Sequence, residues 1–258
     1  MNVLSSVGNR AVATAKAQVA ALRTDGVITY LCSRPRAALG SLGATLLALD
    51  SLRMSPSAVQ NEWAGRSGHY SPEFYAEYGP DTGTEAILEV LEKSVDTDAS
   101  ILELGCGGGR HLAHLHDHGY ENLYGIDINE DAGEVIERKY PALEVDGTFY
   151  FDAIEDVVPT FETDAFDVVF SVETLQHIHP DNAWVFEDIA RVTDDRLLTM
   201  ENEPDGDELL TVTNVDDFPL YFRNWERIFG DLGWRQVHSS EGNIDTFRVF
   251  EKRAASSA

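Results

Sequence analysis

The stretch Ser100-Ile-Leu-Glu-Leu-Gly-Cys-Gly-Gly-Gly-Arg110 decides the fold of this chain. Its first half is an apolar strand that carries one acid, Glu103, and its second half is a turn with glycines at positions 105, 107 and 109. Glycine adopts positive φ angles without a steric penalty and lets a ligand lie against bare backbone. A helix is predicted to begin near Arg110, with the amides of its first turn pointing at that ligand. The stretch therefore predicts a strand, a ligand-binding turn and a helix.

A second short strand ends in an acid. The residues from Leu123 to Ile126 form this predicted strand, and Asp127 follows it directly. An acid at this point is placed to accept hydrogen bonds from both hydroxyls of a ribose. Dinucleotide-binding enzymes use the pattern G-x-G-x-x-G, but Arg110 stands here at the sixth position. A nicotinamide oxidoreductase is therefore disfavoured.

The pattern E-x-G-x-G-x-G, from Glu103 to Gly109, instead resembles the first motif of the class I S-adenosylmethionine-dependent methyltransferases. Further motifs follow in the order that this family has. Phe149 to Phe151 predicts a third strand, and Phe166 to Ser171 predicts a fourth strand whose nearly continuous apolar run is typical of a buried parallel strand. The sequence pattern F-D-x-V-x-S-x-x-x-L-x-H-I begins with this strand at Phe166 and ends after it at Ile178. The resemblance covers roughly residues 60–253.

The resemblance implies that S-adenosylmethionine is the cofactor. In the family the glycine turn makes room for the methionine and ribose part of the cofactor, while an acid after the third strand faces the adenine. Asp152 and the backbone amide of Ala153 match this adenine position. The cofactor-binding residues expected on this basis are Glu103, Gly105, Cys106, Gly107, Gly109, Asp127, Ile128, Asp152, Ala153 and Ser171.

Two residues after the fourth strand are the candidates for catalysis. Methyl transfer from a sulfonium is an in-line displacement, so the enzyme mainly has to align the acceptor atom with the methyl group. A general base is needed only if the acceptor is a neutral hydroxyl or a protonated amine. Open α/β sheets bind ligands at the carboxyl ends of their strands, which points to Glu173 and His177. In the family the histidine is often structural or lines the pocket, so both roles stay open.

Three residues are expected to bind the acceptor substrate. Tyr70 and Tyr78 lie in an aromatic segment, residues 60–80, that in the resembling family often closes over the cofactor. A hydrophobic contact between domains is the other interpretation of this segment. Arg223 lies on a helix predicted from Tyr221 to Leu232 and could bind an anionic acceptor. The alternative there is a solvated face that forms salt bridges.

Composition limits the classes of function. The chain has 258 residues, a net charge of -26 and 15 Arg against 4 Lys, and its acids are spread along the sequence. Such acidity disfavours nonspecific nucleic-acid binding, and no Asn-Pro-Pro-Tyr type of motif points to a nucleobase acceptor. The composition resembles the cytosolic proteins of salt-in halophilic archaea, with an ordinary acidic cytosolic enzyme as the alternative. Two cysteines and no visible signal peptide are expected for a cytoplasmic protein.

Residues 1–58 differ from the rest because they carry a net charge of +4 while the other 200 residues carry -30. Helices are predicted over residues 3–22 and 35–52, and the apolar run in the second is shorter than the ~20 residues that cross a bilayer. One interpretation is a peripheral membrane contact, at the inner surface, that reaches a lipid-linked substrate. The other is a helical lid or a dimer contact. The oligomeric state stays open.

The predicted fold is therefore α/β: a doubly wound, mostly parallel seven-stranded sheet with a C-terminal antiparallel hairpin, formed by residues 59–258, plus a helical extension, residues 1–58. No metal site is expected, since the histidines at 111, 114 and 118 share a helix face without further ligands. The expected function is methylation of a small acceptor, with the oxygen of a sugar or sugar acid, free or in a lipid-linked glycan, as the first choice. A methyltransferase for a soluble metabolite and a noncatalytic cofactor-binding protein are the alternatives.

Overall fold

The computed structural model describes residues 54–215, 218–242 and 244–253. The helices predicted over residues 3–22 and 35–52 lie outside the described residues. The first described helix, α1, spans Pro56–Ala64, so the predicted boundary between residues 58 and 59 falls inside a helix.

Nine strands form two sheets within the described residues. They are β1 Ser100–Leu104, β2 Asn122–Ile126, β3 Thr148–Tyr150, β4 Phe166–Val172, β5 Thr193–Glu201, β6 Leu210–Val215, β7 Phe218–Arg223, β8 Trp234–Glu241 and β9 Thr246–Lys252. The main sheet has the order β3-β2-β1-β4-β5-β9-β8, and β6 pairs with β7 in a separate two-stranded sheet. Strands β1 to β5 run parallel, whereas β9 runs antiparallel to both β5 and β8. This confirms the predicted mostly parallel seven-stranded sheet and its C-terminal hairpin.

Helices connect the strands. After α1 they are α2 Pro72–Ala76, α3 Thr82–Ser94, α4 Arg110–Asp117, α5 Asp131–Lys139, α6 Pro141–Asp146, α7 Ile154–Val157, α8 Val185–Val192 and α9 Trp225–Asp231. Local sequence explains several starts: proline follows the capping serines of α1 and α2, and Asp81 forms a capping box with Thr84 at the start of α3. Within the described part of the chain, no helix is both long and apolar enough to cross a membrane.

Two hydrophobic layers cover the faces of the main sheet. Ile101 packs in one layer and its neighbour Leu102 in the other, because successive strand residues point to opposite faces. All of β1 from Ile101 to Leu104 is buried, including the acid Glu103. The carboxyl ends of β1, β2 and β4 therefore meet at one edge of a rigid, fully packed sheet, which positions the loops that follow them.

Three predicted boundaries need correction. The helix predicted from Tyr221 to Leu232 is wrong in its first half, because residues 218–223 form β7 and pair with β6. Helix α9 begins only at Trp225, where the side chain of Asn224 caps it. The sequence also predicts a helix from Asn182 to Val192, but α8 begins only at Val185, because Pro180–Asn182 form a separate 3-10 helix. The third strand starts and ends one residue earlier than predicted.

Candidate functional site

A cleft of about 1060 Å³, including the space at its open mouth, lies at the carboxyl ends of β1, β2 and β4. Five parts of the chain line it: the segment from α1 to α2, the glycine turn with the start of α4, and the loops after β2, β3 and β4. This is the edge of an open α/β sheet at which ligands bind. Of the residues predicted to bind cofactor, acceptor or proton, it brings together Glu103, Gly105, Cys106, Gly107, Asp127, Ile128, Ala153, Glu173, His177 and Tyr70.

The glycine turn has a conformation that only glycine adopts easily. Gly105 has a φ of +74°, and a Cβ added there would lie 2.2 Å from the hydroxyl of Thr174. Gly107 has a φ of +52°, but a Cβ there would meet open space. The backbone N–H groups of Gly105 and Cys106 both donate to the carbonyl of Ile126, at 2.8 and 2.9 Å. The turn is thus fixed to β2 while Gly107 stays open to the cleft.

Two buried acids stand beside this turn. The Glu103 side chain is 1 % exposed, its Oε2 has no hydrogen-bond partner, and burial raises its pKa well above the usual range. Asp127 accepts hydrogen bonds from the backbone N–H of Gly107 at 2.7 Å and of Asn129 at 2.9 Å. Burial also raises the pKa of Asp127, against these two bonds. Unsatisfied carboxylate capacity next to an open backbone suits a ligand that carries positive charge and hydroxyl groups.

The segment from α1 to α2 supplies an aromatic wall. The indole of Trp63 lies 4.0 Å from the imidazole of His177, between ring centroids, and Arg66 stacks over that indole at 4.7 Å. Tyr70 and Tyr75 continue the wall, with 6.4 Å between their ring centroids. The pKa of Tyr75 is strongly raised, first by burial and then by the negative charge of nearby Glu173. Tyr75 is therefore a neutral phenol at any physiological pH.

The loop after β4 carries both candidate catalytic residues to the cleft. Glu173 has a φ of +50°, which is uncommon for a residue with a side chain. Burial lowers the pKa of His177 to about 3, and Arg66 adds to this effect. The imidazole of His177 is therefore neutral near pH 7, and its Nδ1 has no hydrogen-bond partner.

Several predicted site residues do not line the cleft. Arg223 is 3 % exposed, and its guanidinium donates to the carbonyls of Leu175 and Ile178. Because the predicted helix is a strand here, Arg223 points beneath the loop after β4 instead of towards a ligand. Four other predicted residues lie outside the lining: Gly109, Tyr78, Asp152 and Ser171. Gly109 caps α4, and Tyr78 packs on Phe74. Asp152 is exposed, and its Oδ1 accepts a hydrogen bond from the backbone N–H of Ala153.

One buried acid beside the loop after β4 was not predicted from the sequence. Glu201, at the end of β5, is fully buried and accepts a hydrogen bond at 2.5 Å from the hydroxyl of Ser171. Burial raises the pKa of Glu201 to about 7, against the four hydrogen bonds that it accepts. A charged residue at the end of the apolar strand 197–200 was the available signal. Its partners could not be recognised from the sequence, because they lie 25 to 30 residues earlier in the chain.

The first turn of α4 also contributes to the lining through Arg110 and His111. Arg110 donates to Oδ2 of Asp81 at 2.8 Å and to the carbonyl of Gly79 at 3.2 Å. His111 Nδ1 lies 2.8 Å from the hydroxyl of Thr84, and burial lowers the pKa of His111 to about 3. In the described residues, no group of three or more His, Cys, Asp or Glu side chains has the arrangement of a metal site.

Comparison with known proteins agrees with this geometry. Residues 101–196 match the family model described as a methyltransferase domain. The match covers less than half of the chain. The match runs from β1 through α8 into β5 and contains the glycine turn, Asp127, Glu173 and His177.

Two curated proteins that are similar to this chain have names that give different methyl acceptors. The chain is 30% identical over 103 residues to the mitochondrial ubiquinone biosynthesis O-methyltransferase of Candida albicans. This alignment covers 38% of this chain and 30% of that protein. It is also 30% identical over 110 residues to the EEF1A lysine methyltransferase 2 of Mus musculus, which covers 41% of this chain and 44% of that protein. The chain thus spans less than half the length of the curated relatives it matches.

The fold is shared with solved methyltransferase structures. Magnesium protoporphyrin IX methyltransferase from Synechocystis PCC 6803, solved with bound S-adenosylhomocysteine, superposes with a TM-score of 0.57 at 14% identity, covering 77% of this chain and 100% of that one. At this identity the likeness establishes the fold alone. The sequence-based prediction of a class I methyltransferase fold is confirmed.

Proposed function

We propose that the chain is an S-adenosylmethionine-dependent methyltransferase that transfers the methyl group to an oxygen of a small acceptor. The observation that carries this proposal is the open glycine turn between two buried acids, Glu103 and Asp127. A cationic cofactor with a ribose fits this set of groups. The unpartnered Oε2 of Glu103 can accept from an amino group, and each oxygen of Asp127 keeps a lone pair for a ribose hydroxyl.

Bound S-adenosylmethionine would supply a methyl group on a positively charged sulfur. The residues of the chain then have three tasks. The glycine turn and Asp127 hold the cofactor, Ala153 and Ile128 border the cleft where the adenine is expected, and the aromatic wall excludes water and aligns the acceptor. As the acceptor oxygen bonds to the methyl carbon, the electron pair of the carbon–sulfur bond returns to sulfur.

The charges around the cleft favour an uncharged acceptor. Among the described residues that line it, the acidic side chains are Glu103, Asp127, Glu155 and Glu173, with the pKa values of Glu103 and Asp127 raised by burial, and the only Lys or Arg is Arg110. Arg110 is already paired with Asp81, so an anion would meet acids without a free cation. Arg66 already occupies the face of Trp63 that would attract a cation. An uncharged sugar or a similar ring with a hydroxyl is therefore favoured over a sugar acid.

A hydroxyl acceptor must lose its proton as the new bond forms. Glu173 is the candidate to receive it, since its carboxylate borders the cleft beside the aromatic wall. His177 is neutral, and its low pKa of about 3 makes it a weak base. We therefore assign proton acceptance to Glu173 and a hydrogen bond to the acceptor to His177.

Calorimetry with S-adenosylmethionine, S-adenosylhomocysteine and NAD in concentrated KCl tests the cofactor. The wild type should bind the first two in the micromolar range and not bind NAD, and Asp127→Ala should lose this binding. Asp131→Ala, which removes an exposed acid at the start of α5, is the matched control and should bind normally. Binding of NAD alone would overturn the proposal.

Two alternative functions predict different experimental results. A noncatalytic binding protein would bind S-adenosylmethionine but turn over none of a panel of sugars, phenols and amines. A methyltransferase for a soluble metabolite would keep its activity after deletion of residues 1–53. An enzyme that works at a membrane would bind anionic vesicles, and the same deletion would abolish that binding. The net charge of -26 keeps a halophilic source as part of the proposal.

A further inference from the structure

Glu201 stands at the centre of a hydrogen-bond cluster that the chemistry proposed above does not use. Its Oε1 accepts from the hydroxyl of Ser171 at 2.5 Å and from the backbone N–H groups of Thr174 at 3.0 Å and Leu175 at 2.9 Å. Its Oε2 accepts from the backbone N–H of Gln176 at 3.3 Å. One carboxylate on β5 thus binds three successive amides of the loop that follows β4.

Two of these amides belong to the first residues of a short 3-10 helix, Leu175–His177, and the third belongs to Thr174, its N-cap residue. Amides at the start of a helix have no partner inside the helix, and a side chain normally caps them locally. The side chain of Thr174, the N-cap residue, makes no such capping hydrogen bond. Glu201 supplies the cap from another strand, which ties the position of the loop to the main sheet.

The same loop is held from its other side. Arg223 donates to the carbonyl of Leu175 at 3.1 Å and to that of Ile178 at 2.5 Å. Asn202, next to Glu201, donates to the side chain of Gln176 at 2.9 Å. The loop is therefore bound through its amides by Glu201 and through its carbonyls by Arg223.

The held loop forms part of the cleft. Glu173, Thr174 and His177 all border the cleft, whereas neither Glu201 nor Arg223 does. Thr174 also packs against Gly105 so closely that no Cβ fits between them. A shift of this loop would move the side chains at the acceptor end and the glycine turn at the cofactor end together. Glu173, with its positive φ, adds strain that persists only where the surroundings hold the backbone.

We propose that Glu201 is a positioning residue of the methyltransferase: its carboxylate fixes the loop from Glu173 to His177 against the glycine turn and so sets the geometry of both cofactor and acceptor sites. This inference rests on the proposed function. It assigns no contact with cofactor or substrate to Glu201 itself. It also gives Arg223, at the end of β7, a structural role in holding this loop, instead of the acceptor contact predicted from the sequence.

The test compares Glu201→Ala and Glu201→Gln with a matched control. Gln keeps one oxygen that can accept from Thr174 and Leu175, so it should restore part of what Ala removes. Glu203→Gln removes another buried carboxylate at the same strand end, where its partner is Arg248 and not the loop. Thermal unfolding ranks the loss of stability in the three variants, and all measurements are made well below the lowest transition.

Two properties are measured for each variant: amide hydrogen exchange of residues 174–176 and the Kd for S-adenosylhomocysteine. In Glu201→Ala we expect at least tenfold faster exchange at these amides and about tenfold weaker binding, which corresponds to the loss of a hydrogen bond or two. Glu201→Gln should lie between Ala and the wild type, and Glu203→Gln should match the wild type in both properties.

The outcomes separate the two proposals. Unchanged exchange in Glu201→Ala would overturn the inference, as would faster exchange with unchanged affinity, because the loop would then not set the site. If Glu203→Gln weakens the binding of S-adenosylhomocysteine equally, the cause is general destabilisation, and the inference is again overturned. If the wild type itself fails to bind S-adenosylhomocysteine, the proposed function fails and the inference falls with it, whatever the exchange at the loop.

Discussion

The indole of Trp63 and the imidazole of His177 are in contact, with 4.0 Å between ring centroids and 45° between ring planes. This contact joins α1 to the loop after β4 and closes one end of the cleft. It also keeps water from the imidazole, since burial is the largest cause of the low pKa of His177. The protonation behaviour of His177 therefore reports on the position of α1.

We expect Trp63→Ala to raise the pKa of His177 from about 3 towards the ordinary value of 6.5, because water then reaches the ring. NMR titration of the histidine side chains measures this shift. Trp184→Ala is the control, since Trp184 is 46% exposed and makes no ring contact with a histidine. A His177 titration that is the same in both variants would show that α1 does not cover the imidazole in solution.

Substitutions in the glycine turn distinguish a loss of fold stability from a loss of space for the cofactor. Gly105→Ala should destabilise the fold strongly, because its Cβ would overlap with Thr174. Gly107→Ala should cost only the ~1–2 kcal/mol of a left-handed backbone, yet it should abolish cofactor binding because its Cβ projects into the cleft.

Gly119→Ala completes this comparison. Gly119 also has a positive φ with open space around it, but it lies after α4, outside the cleft lining. Urea unfolding and calorimetry of the three variants should show similar stability for Gly107→Ala and Gly119→Ala, with cofactor binding lost only in the former. Normal binding by Gly107→Ala would argue against a ligand at the turn.

Acid should destabilise the protein through its buried histidines. His111 and His177 have folded-state pKa values of about 3 against 6.5 in the unfolded chain, so the unfolded state binds more protons as the pH falls through 6.5 towards 3. Each histidine should lower the free energy of unfolding by about 2 kcal/mol between pH 8 and pH 5. Urea unfolding at both pH values measures this loss.

The matched variants isolate the histidine contribution from that of the many carboxylates. His177→Asn should lose less stability than the wild type over this pH interval, whereas His118→Asn, which changes an exposed histidine at the end of α4, should lose as much. If all three proteins show the same pH dependence, His177 is not buried as a neutral side chain.

Salt should stabilise the protein because its charges repel one another. With a net charge of -26, screening by KCl lowers the repulsion in the compact state more than in the expanded one. We expect the melting temperature to rise by several degrees between 0.1 and 2 M KCl. Sucrose at equal osmolality is the control, and an equal rise in sucrose would count against an electrostatic cause.

The sequence was sufficient for those parts of the site that follow from local constraints. The glycine turn needs positive φ at Gly105 and Gly107, and the acid at Asp127 must directly follow a short strand, so both can be recognised from spacing. Arg223 was placed wrongly because aromatic residues before Trp225 suit a strand as well as a helix, and pairing with β6 decides between them. Such pairing is a long-range effect.

The roles of Glu201 and Trp63 could not be predicted for the same reason. Glu201 is defined by three amides about 25 residues away, and Trp63 by a ring more than 110 residues later in the chain. Their residue types alone indicate only an acid after a strand and an aromatic residue on an amphipathic helix. The partners follow from the topology of the sheet.

The packing of α1 on β7 has a consequence for the order of assembly on the ribosome. Val59 packs with Phe218, Leu220 and Phe222, and Trp63 lies against this cluster. The residues of α1 are synthesised about 160 positions before their partners, so they must wait while the glycine turn, β2 and β4 emerge. A nascent chain therefore completes the cofactor half of its cleft first, and the acceptor half forms only when β7 has left the exit tunnel.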